Sequence, residues 1–147
     1  MISTPRSLWL DAVNVLRSCG RGKLECVVYA IGPTDDPEVV SDLVHPDHTA
    51  TPSHYEVSQA WLHQLGLRLK HDRKQVRLQI HTHLGEAFHS RSDDEGAIVY
   101  TQGFLSLVLP NGAMIDDPLR GAYLAVIDSR GEWRQASPRS RIEILAG

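Results

Sequence analysis

His81-Thr82-His83-Leu84-Gly85-Glu86-Ala87-Phe88-His89-Ser90-Arg91-Ser92-Asp93 is the stretch that decides how this chain is read. Immediately before it, Gln75-Val76-Arg77-Leu78-Gln79-Ile80 alternates polar and apolar residues with period two, which predicts a half-buried strand. Residues i and i+2 of a strand face the same way, about 7 Å apart at Cα for a rise of ~3.3 Å per residue, so the imidazoles of His81 and His83 can converge on one ion. Asp93, ten positions after His83, can return on a loop as third ligand. Two histidines and one aspartate around Zn²⁺ leave a tetrahedral position open for water, the arrangement of a catalytic zinc site and not of a structural one.

A His-x-His pair alone is common, so its surroundings decide what it means. A cupin needs a further histidine much later, and none follows His89. Metallo-β-lactamase-like enzymes place an aspartate two residues after the second histidine, where this chain has Gly85. Amidohydrolase barrels need a far longer chain. Zinc deaminases need His-x-Glu and Cys-x-x-Cys, whereas the cysteines here are Cys19 and Cys26.

The remaining pattern, His81-Thr82-His83 followed by Ser90-Arg91-Ser92-Asp93, resembles the His-x-His…Ser-x-x-Asp signature of the JAMM (JAB/MPN/Mov34) zinc metalloproteases. That family also carries a glutamate on an upstream strand, and Glu25 answers the description. It opens Glu25-Cys26-Val27-Val28-Tyr29-Ala30-Ile31-Gly32, which is similar to the family's Glu-x-x-Gly-x-Leu-x-Gly. Leu84 stands where a proline usually follows the second histidine, and Val28 where the strand has its first glycine. Neither position supplies a ligand, so these departures imply a changed loop shape with the chemistry kept. The resemblance implies the MPN (cytidine-deaminase-like) fold, zinc on His81, His83 and Asp93, Glu25 as general base and Ser90 as oxyanion partner. The Ser-x-x-Asp interval selects Asp93 over Asp94. Asp94 is expected to cap a turn or to pair with Arg91, and His89 to stand in the wall of the cleft.

A chain of 147 residues, 41% hydrophobic and 22% charged, predicts one globular domain, 1–147, with enough apolar material for one core. Its net charge of -3 provides no basic field for nucleic acid or anionic lipid. Its apolar runs are too short to span a bilayer, and the amino end does not read as a secretory signal. Two cysteines without a framework pattern predict free thiols in a reducing compartment, hence a cytoplasmic location.

Ser7 is the expected N-cap of a first helix with Leu8, Trp9, Ala12, Val13, Val15 and Leu16 as its apolar stripe, ended by Gly20 and Gly22. Glu25–Ile31 and Val39–Val44 are expected to pair as a hairpin, and His45–Ser53 to form a loop beside the cleft in which His45 and His48 have no regular element to fix them. Ser58 caps a second helix from about Gln59 to Lys70. Strands follow at Gly103–Pro110, at Tyr123–Asp128 with Glu132-Trp133, and at Arg141–Leu145. The order of elements predicts an α/β fold with a mixed β-sheet flanked by helices.

Phe88-His89-Ser90 with Asp93-Asp94 looks like the corresponding stretch of small bacterial members encoded beside activating and conjugating enzymes for ubiquitin-like proteins. The resemblance implies a zinc-dependent, deubiquitinase-like isopeptidase or peptidase that cleaves after the C-terminal tail of a ubiquitin-like protein, in precursor processing or deconjugation. A catalytically silent MPN scaffold, or a peptidase acting on a sulfur-carrier adduct, are the alternatives. Neither nucleic acid nor membrane is an expected partner.

Overall fold

The computed structural model describes residues 1–99 and 101–146; Tyr100 and Gly147, the last residue of the expected domain, lie outside the described residues. In chain order the elements are β1 (Ile2–Thr4), α1 (Arg6–Gly20), β2 (Val27–Pro33), β3 (Asp42–Val44), β4 (His48–Thr51), β5 (His54–Val57), α2 (Gln59–Asp72), β6 (Lys74–Thr82), α3 (Arg91–Glu95), β7 (Leu105–Leu109), β8 (Tyr123–Ile127), β9 (Trp133–Ala136), α4 (Pro138–Arg141) and β10 (Ile142–Ile144). Six strands form one sheet in the order β3-β2-β6-β7-β8-β9. Only β6 and β7 run parallel in it; the other neighbours are antiparallel. The parallel pair needs a crossover, and that crossover carries the Ser90–Asp93 segment back across the end of β6.

Period-two alternation sends the residues of β2 and β6 to two different cores. Val28, Ala30, Leu78 and Ile80 pack toward α1 with Trp9, Val13 and Leu16, together with Leu105, Leu107 and Leu124 from the neighbouring strands. Val27, Tyr29 and Ile31 turn to the opposite face, against Tyr55 of β5 and Leu65 of α2, with Trp61, Leu62 and Leu69 partly buried beside them. Strand β6 is therefore covered on both sides, and the expectation that it is half-buried is corrected. From Arg77 onward its polar residues do not face water, although Gln75 at its start is exposed: Gln79 is fully buried, donating to Ser106 Oγ and accepting from the Ile98 N–H. Arg77 is likewise buried, its guanidinium donating to the carbonyls of Pro33 and Asp36. A buried strand whose polar side chains bond to neighbouring elements, as Arg77 and Gln79 do, leaves the same alternating pattern in sequence as a half-exposed one.

Two further expectations are corrected. Pro5, with no side-chain bond, holds the N-cap position of α1 where Ser7 was expected; Ser7 already lies within the first turn, and proline's fixed φ suits the chain's entry to the helix. The stretch His45–Ser53 is not an irregular loop, because His48–Thr51 pairs in register with His54–Val57 as the β4–β5 hairpin. Its Pro and His content hid a short strand whose partner lies just beyond the expected loop. Ser58 does cap α2, accepting from the Trp61 N–H at 3.2 Å.

Gly32, the glycine that closes the Glu25–Gly32 stretch, marks a close approach. A Cβ there would overlap the Val39 carbonyl oxygen, which is backbone and unable to rotate away, and would crowd Arg77 Nε at 2.9 Å. Gly32→Ala is expected to destabilise the protein by about 1–3 kcal/mol, the usual cost of overpacking. Chemical denaturation of the two proteins checks this, and an unchanged midpoint would contradict it.

Candidate metal centre

The register between β2 and β6 builds the site. Val27 lies opposite His81 and Val28 opposite Ile80, and the pairing extends past the end of β2. Thr82 N–H donates to the Cys26 carbonyl at 3.0 Å, and Cys26 N–H donates to Thr82 Oγ1 at 3.0 Å. Continuing the same register by one more residue sets Glu25 opposite His83. Residues directly opposite one another share a face. Glu25, His81 and His83 thus lie on the α2 side of the sheet, while Cys26 turns toward α1. His83 is itself held by its N–H to the Leu109 carbonyl, and Glu25 by its N–H to the Thr51 carbonyl of β4.

Asp93 arrives from the crossover. Ser90 is the N-cap of α3: its Oγ accepts from the Asp93 N–H at 3.1 Å, and the Ser90 N–H donates to Asp93 Oδ2 at 2.9 Å. This reciprocal capping box fixes both the turn and the carboxylate that it presents. Asp93 Oδ1 lies 3.1 Å from His81 Nε2, Oδ2 lies 3.2 Å from His83 Nε2, and Glu25 Oε2 stands 4.0 Å from His83 Nε2. One ligand atom from each of Glu25, His81, His83 and Asp93 falls within 4.8 Å of all the others, and all four residues are buried.

The donor set fits a cation. His81 is fully buried in the sheet, and neither of its ring nitrogens has a hydrogen bond among the described residues. Its Nε2 lies 3.1 Å from Asp93 Oδ1 without hydrogen-bond alignment, so the ring meets the carboxylate through charge alone, and a hydrogen-bonding capacity that ordinarily costs about 1–3 kcal/mol to leave unmade is unused among the described residues. Zn–N and Zn–O bonds of about 2.0–2.2 Å at tetrahedral angles give a ligand-to-ligand edge of about 3.4 Å. The two His–Asp separations are close to that edge.

Electrostatics divides the carboxylates into two kinds. Burial pushes the Glu25 carboxyl up to about 7, with the Asp93 charge adding to the rise and His83 opposing it. Burial also works against ionised Asp93, but His81, His83 and the Ser90 N–H outweigh it and hold this carboxyl well below the usual carboxylate range. Burial pushes His81 down toward the neutral form that a ligand must have, against the pull of Asp93. His83 is pushed down by burial and raised overall by Asp93 and Glu25. The arrangement sets one carboxylate that stays ionised beside one that takes up a proton near neutrality.

Ser90 stands at the site, with its hydroxyl used by the cap and lying 3.1 Å from Ser92 Oγ. Two neighbours differ from expectation. The His89 side chain is not a cleft wall; only 3% of it is exposed, locked between Asp94 Oδ1 and Ser106 Oγ with Trp133 against its ring. Asp94 accordingly pairs with His89 and not with Arg91, whose guanidinium takes Glu95 one turn along α3. A cleft of ≈ 480 Å³ reaches Asp93, bounded by Tyr55 and Val57 of β5 and by Ser92, Ala97 and Ile98. The expected wall at His45–Ser53 does not line it. That segment leads instead to Cys19 and Cys26, which the structure joins in a disulfide, so the expectation of free thiols is corrected. The seven-residue separation looked unpatterned in sequence, but the left-handed Arg21 and Gly22 fold the end of α1 back and bring the two Cα atoms to 6.0 Å.

Glu25 makes a test of this electrostatics in the metal-free protein. Its carboxyl titrates near 7 when folded against 4.5 for its ordinary value, so the folded state binds the proton more tightly. Its contribution is most favourable at low pH and is lost as pH rises from 4.5 to about 7, at a cost of about 3 kcal/mol. Glu25→Gln carries no such charge. With chelator present, it is expected to be more stable than wild type at pH 8 and to differ little at pH 4.5; equal denaturation midpoints at pH 8 would contradict the assignment.

Comparisons with known proteins bear on this geometry. No protein-family model matches the chain. A probable metalloprotease of Sinorhizobium fredii, y4jG, is 39% identical over 77 residues, which are 51% of this chain and 42% of that protein; the match thus spans less than half of the relative's length. The solution structure of DSY2949 from Desulfitobacterium hafniense aligns with a TM-score of 0.71 at 13% identity, covering 100% of this chain and 94% of the other. The crystal structure of AF2198, a JAB1/MPN domain protein from Archaeoglobus fulgidus, aligns with a TM-score of 0.53 at 10% identity over 97% of each chain. At such identities a structural likeness speaks for the fold alone, and the fold is the mixed sheet with flanking helices of the MPN domain. Taken with the His-x-His…Ser-x-x-Asp motif and the upstream glutamate, these likenesses support the resemblance to the JAMM/MPN family: the chain is similar over half its length to a probable metalloprotease and shares the fold of a JAB1/MPN domain protein.

Proposed function

We propose that the chain is a zinc-dependent peptidase in which His81, His83 and Asp93 hold the ion and Glu25 acts as general base. The observation that carries this reading is fully buried His81, without a hydrogen bond at either ring nitrogen among the described residues, directed at a carboxylate that His83 shares. Zinc in such a set acts as a Lewis acid, polarising a carbonyl and acidifying water. Glu25, 4.0 Å from His83 and outside the short His–Asp contacts, is placed to take a proton from the attacking water. A carboxyl that titrates near neutrality can then return that proton to the leaving amine. Ser90 can turn its hydroxyl toward the developing oxyanion while its oxygen still accepts from Asp93. One such donor typically contributes about 3 kcal/mol to transition-state binding.

The substrate in this reading is the peptide or isopeptide bond behind the C-terminal tail of a ubiquitin-like protein, with activating and conjugating enzymes of the same pathway as further partners. Support comes from the motif's resemblance to small bacterial members and from the shape of the site. An extended tail can lie in the cleft between β5 and the residues after α3, donating backbone hydrogen bonds to a strand edge. No helix among the described residues is long and apolar enough to cross a membrane, and the proposed location is the cytoplasm.

A reporter fused behind a ubiquitin-like protein tests the activity. Glu25→Gln is expected to keep zinc and to lower turnover by about 10²- to 10⁴-fold, the range for losing a general base. Asp93→Ala is expected to lose the ion, whereas Asp94→Ala keeps it because His89 is its partner. Zinc loss in the Asp94 variant alone would overturn the ligand assignment. Bound zinc with no cleavage of a ubiquitin-like or sulfur-carrier fusion would favour a silent scaffold.

A further inference from the structure

A second group of metal-ligating side chains lies on the other side of the Glu25 backbone. Cys19 in the last turn of α1, Cys26 at the entrance to β2, His45 after β3 and His48 at the start of β4 have ligand atoms all within 4.8 Å of one another. Each imidazole addresses a different sulfur: His45 Nε2 is 3.4 Å from Cys26 Sγ, and His48 Nε2 is 3.5 Å from Cys19 Sγ. For Zn–S of about 2.3 Å and Zn–N of about 2.0–2.1 Å at tetrahedral angles, the sulfur-to-nitrogen edge is about 3.5 Å. A disulfide by itself gives no reason for two histidines to meet its two sulfurs at that distance. His48 Nδ1 donates to the Pro46 carbonyl at 2.9 Å, which fixes the tautomer and leaves the Nε2 lone pair directed at Cys19. This outer hydrogen bond is the usual companion of a metal-bound histidine. The His45 and His48 rings stand 5.3 Å apart at 52°, nearly the arrangement of His81 and His83, at 5.3 Å and 53°.

We propose that, when Cys19 and Cys26 are reduced, these four residues form a second zinc site of the closed Cys₂His₂ type. The disulfide and the metal site are alternative states of the same sulfurs. A dithiol or phosphine reductant supplies two electrons, two protons complete the thiols, and zinc uptake releases those two protons as both sulfurs become thiolates. Cys26 is fully buried, while His45 is exposed and leaves the ion a way in. All four positions are filled by protein, so the site binds no substrate. Its consequence is mechanical: it ties the end of α1 and the β3–β4 connection to the residue that follows Glu25. The disulfide joins the end of α1 to the residue before β2 but makes no covalent link to His45 or His48. The spacings Cys-x₆-Cys and His-x₂-His fall outside the usual zinc-finger intervals, and the left-handed turn after α1 brings the cysteines together.

Cobalt(II) separates this site from the catalytic one, because only this one has sulfur ligands. The apo-protein, reduced with a phosphine under anaerobic conditions, is titrated with cobalt and followed by thiolate-to-cobalt charge-transfer absorption. Two ions per wild-type chain are expected, with the band present in the reduced protein and absent in the oxidised one. His81→Ala/His83→Ala should lose one ion and keep the band; His45→Ala/His48→Ala should lose one ion and the band. No charge-transfer band in the reduced wild type, a measurement that needs no variant to fold, would overturn the proposal, as would a band undiminished without His45 and His48. Failure of the catalytic assignment alone would remove the band-silent ion and leave the band in place.

Discussion

The antiparallel register of β2 against β6 is the constraint on which the site depends. With Val27 opposite His81, Glu25 must come opposite His83, and both pairs must face α2. Slipping the register by one residue would turn every one of these side chains to the other face. Burial on both faces prevents that slip: Val28, Ala30, Leu78 and Ile80 would have to exchange places with Val27, Tyr29, Gln79 and His81, whose partners differ completely. The cores that stabilise the sheet therefore also align the acid and the histidines. The hydrogen bonds between Cys26 and Thr82 carry that alignment one residue beyond the formal end of β2.

A register can align residues of two strands, but Asp93 has to come from elsewhere. Burying Asp93 as a charge is costly, and the structure offsets that cost locally with the Ser90 N–H and with both histidines. A five-residue helix is too short to hold its place by propensity, so the capping box fixes the turn and the carboxylate together. His89, clamped by Asp94 and Ser106, anchors the start of the same turn to β7. Ser90 thus has a structural task that holds whatever it does for an oxyanion. The cleft opens on this turn, and β5 faces it across the site.

Much of this was legible in the sequence because the signals were local. The apolar stripe of α1, the Ser58 cap of α2 and the run Leu105–Leu109 each declare their element within a few residues. The His-x-His…Ser-x-x-Asp spacing pointed to the residues that the fold gathers, since a strand and a capped turn convert spacing into position with little freedom. Features that depend on distant partners were not legible. Gln79 and Arg77 read as water-facing residues because their acceptors and donors lie on other elements. The strand His48–Thr51 was hidden by its short length and by Pro46 nearby, and β1 shows as a strand only through its parallel pairing with β10. His89 read as a residue of the cleft wall because nothing local predicts Trp133 against its ring. Cys19 and Cys26 looked unrelated because the turn that brings them together runs through residues with left-handed backbone.

The central claim is that one ion is bound by His81, His83 and Asp93, with Glu25 beside it and unbound. Diffraction from zinc-loaded crystals above and below the zinc absorption edge tests this most directly, since the anomalous difference locates the ion independently of activity. The account predicts a peak within bonding distance, about 2.0–2.2 Å, of His81 Nε2, His83 Nε2 and an Asp93 oxygen, with both Glu25 oxygens farther away. A peak bonded by Glu25 in place of Asp93, or no peak between the two histidines, would contradict it.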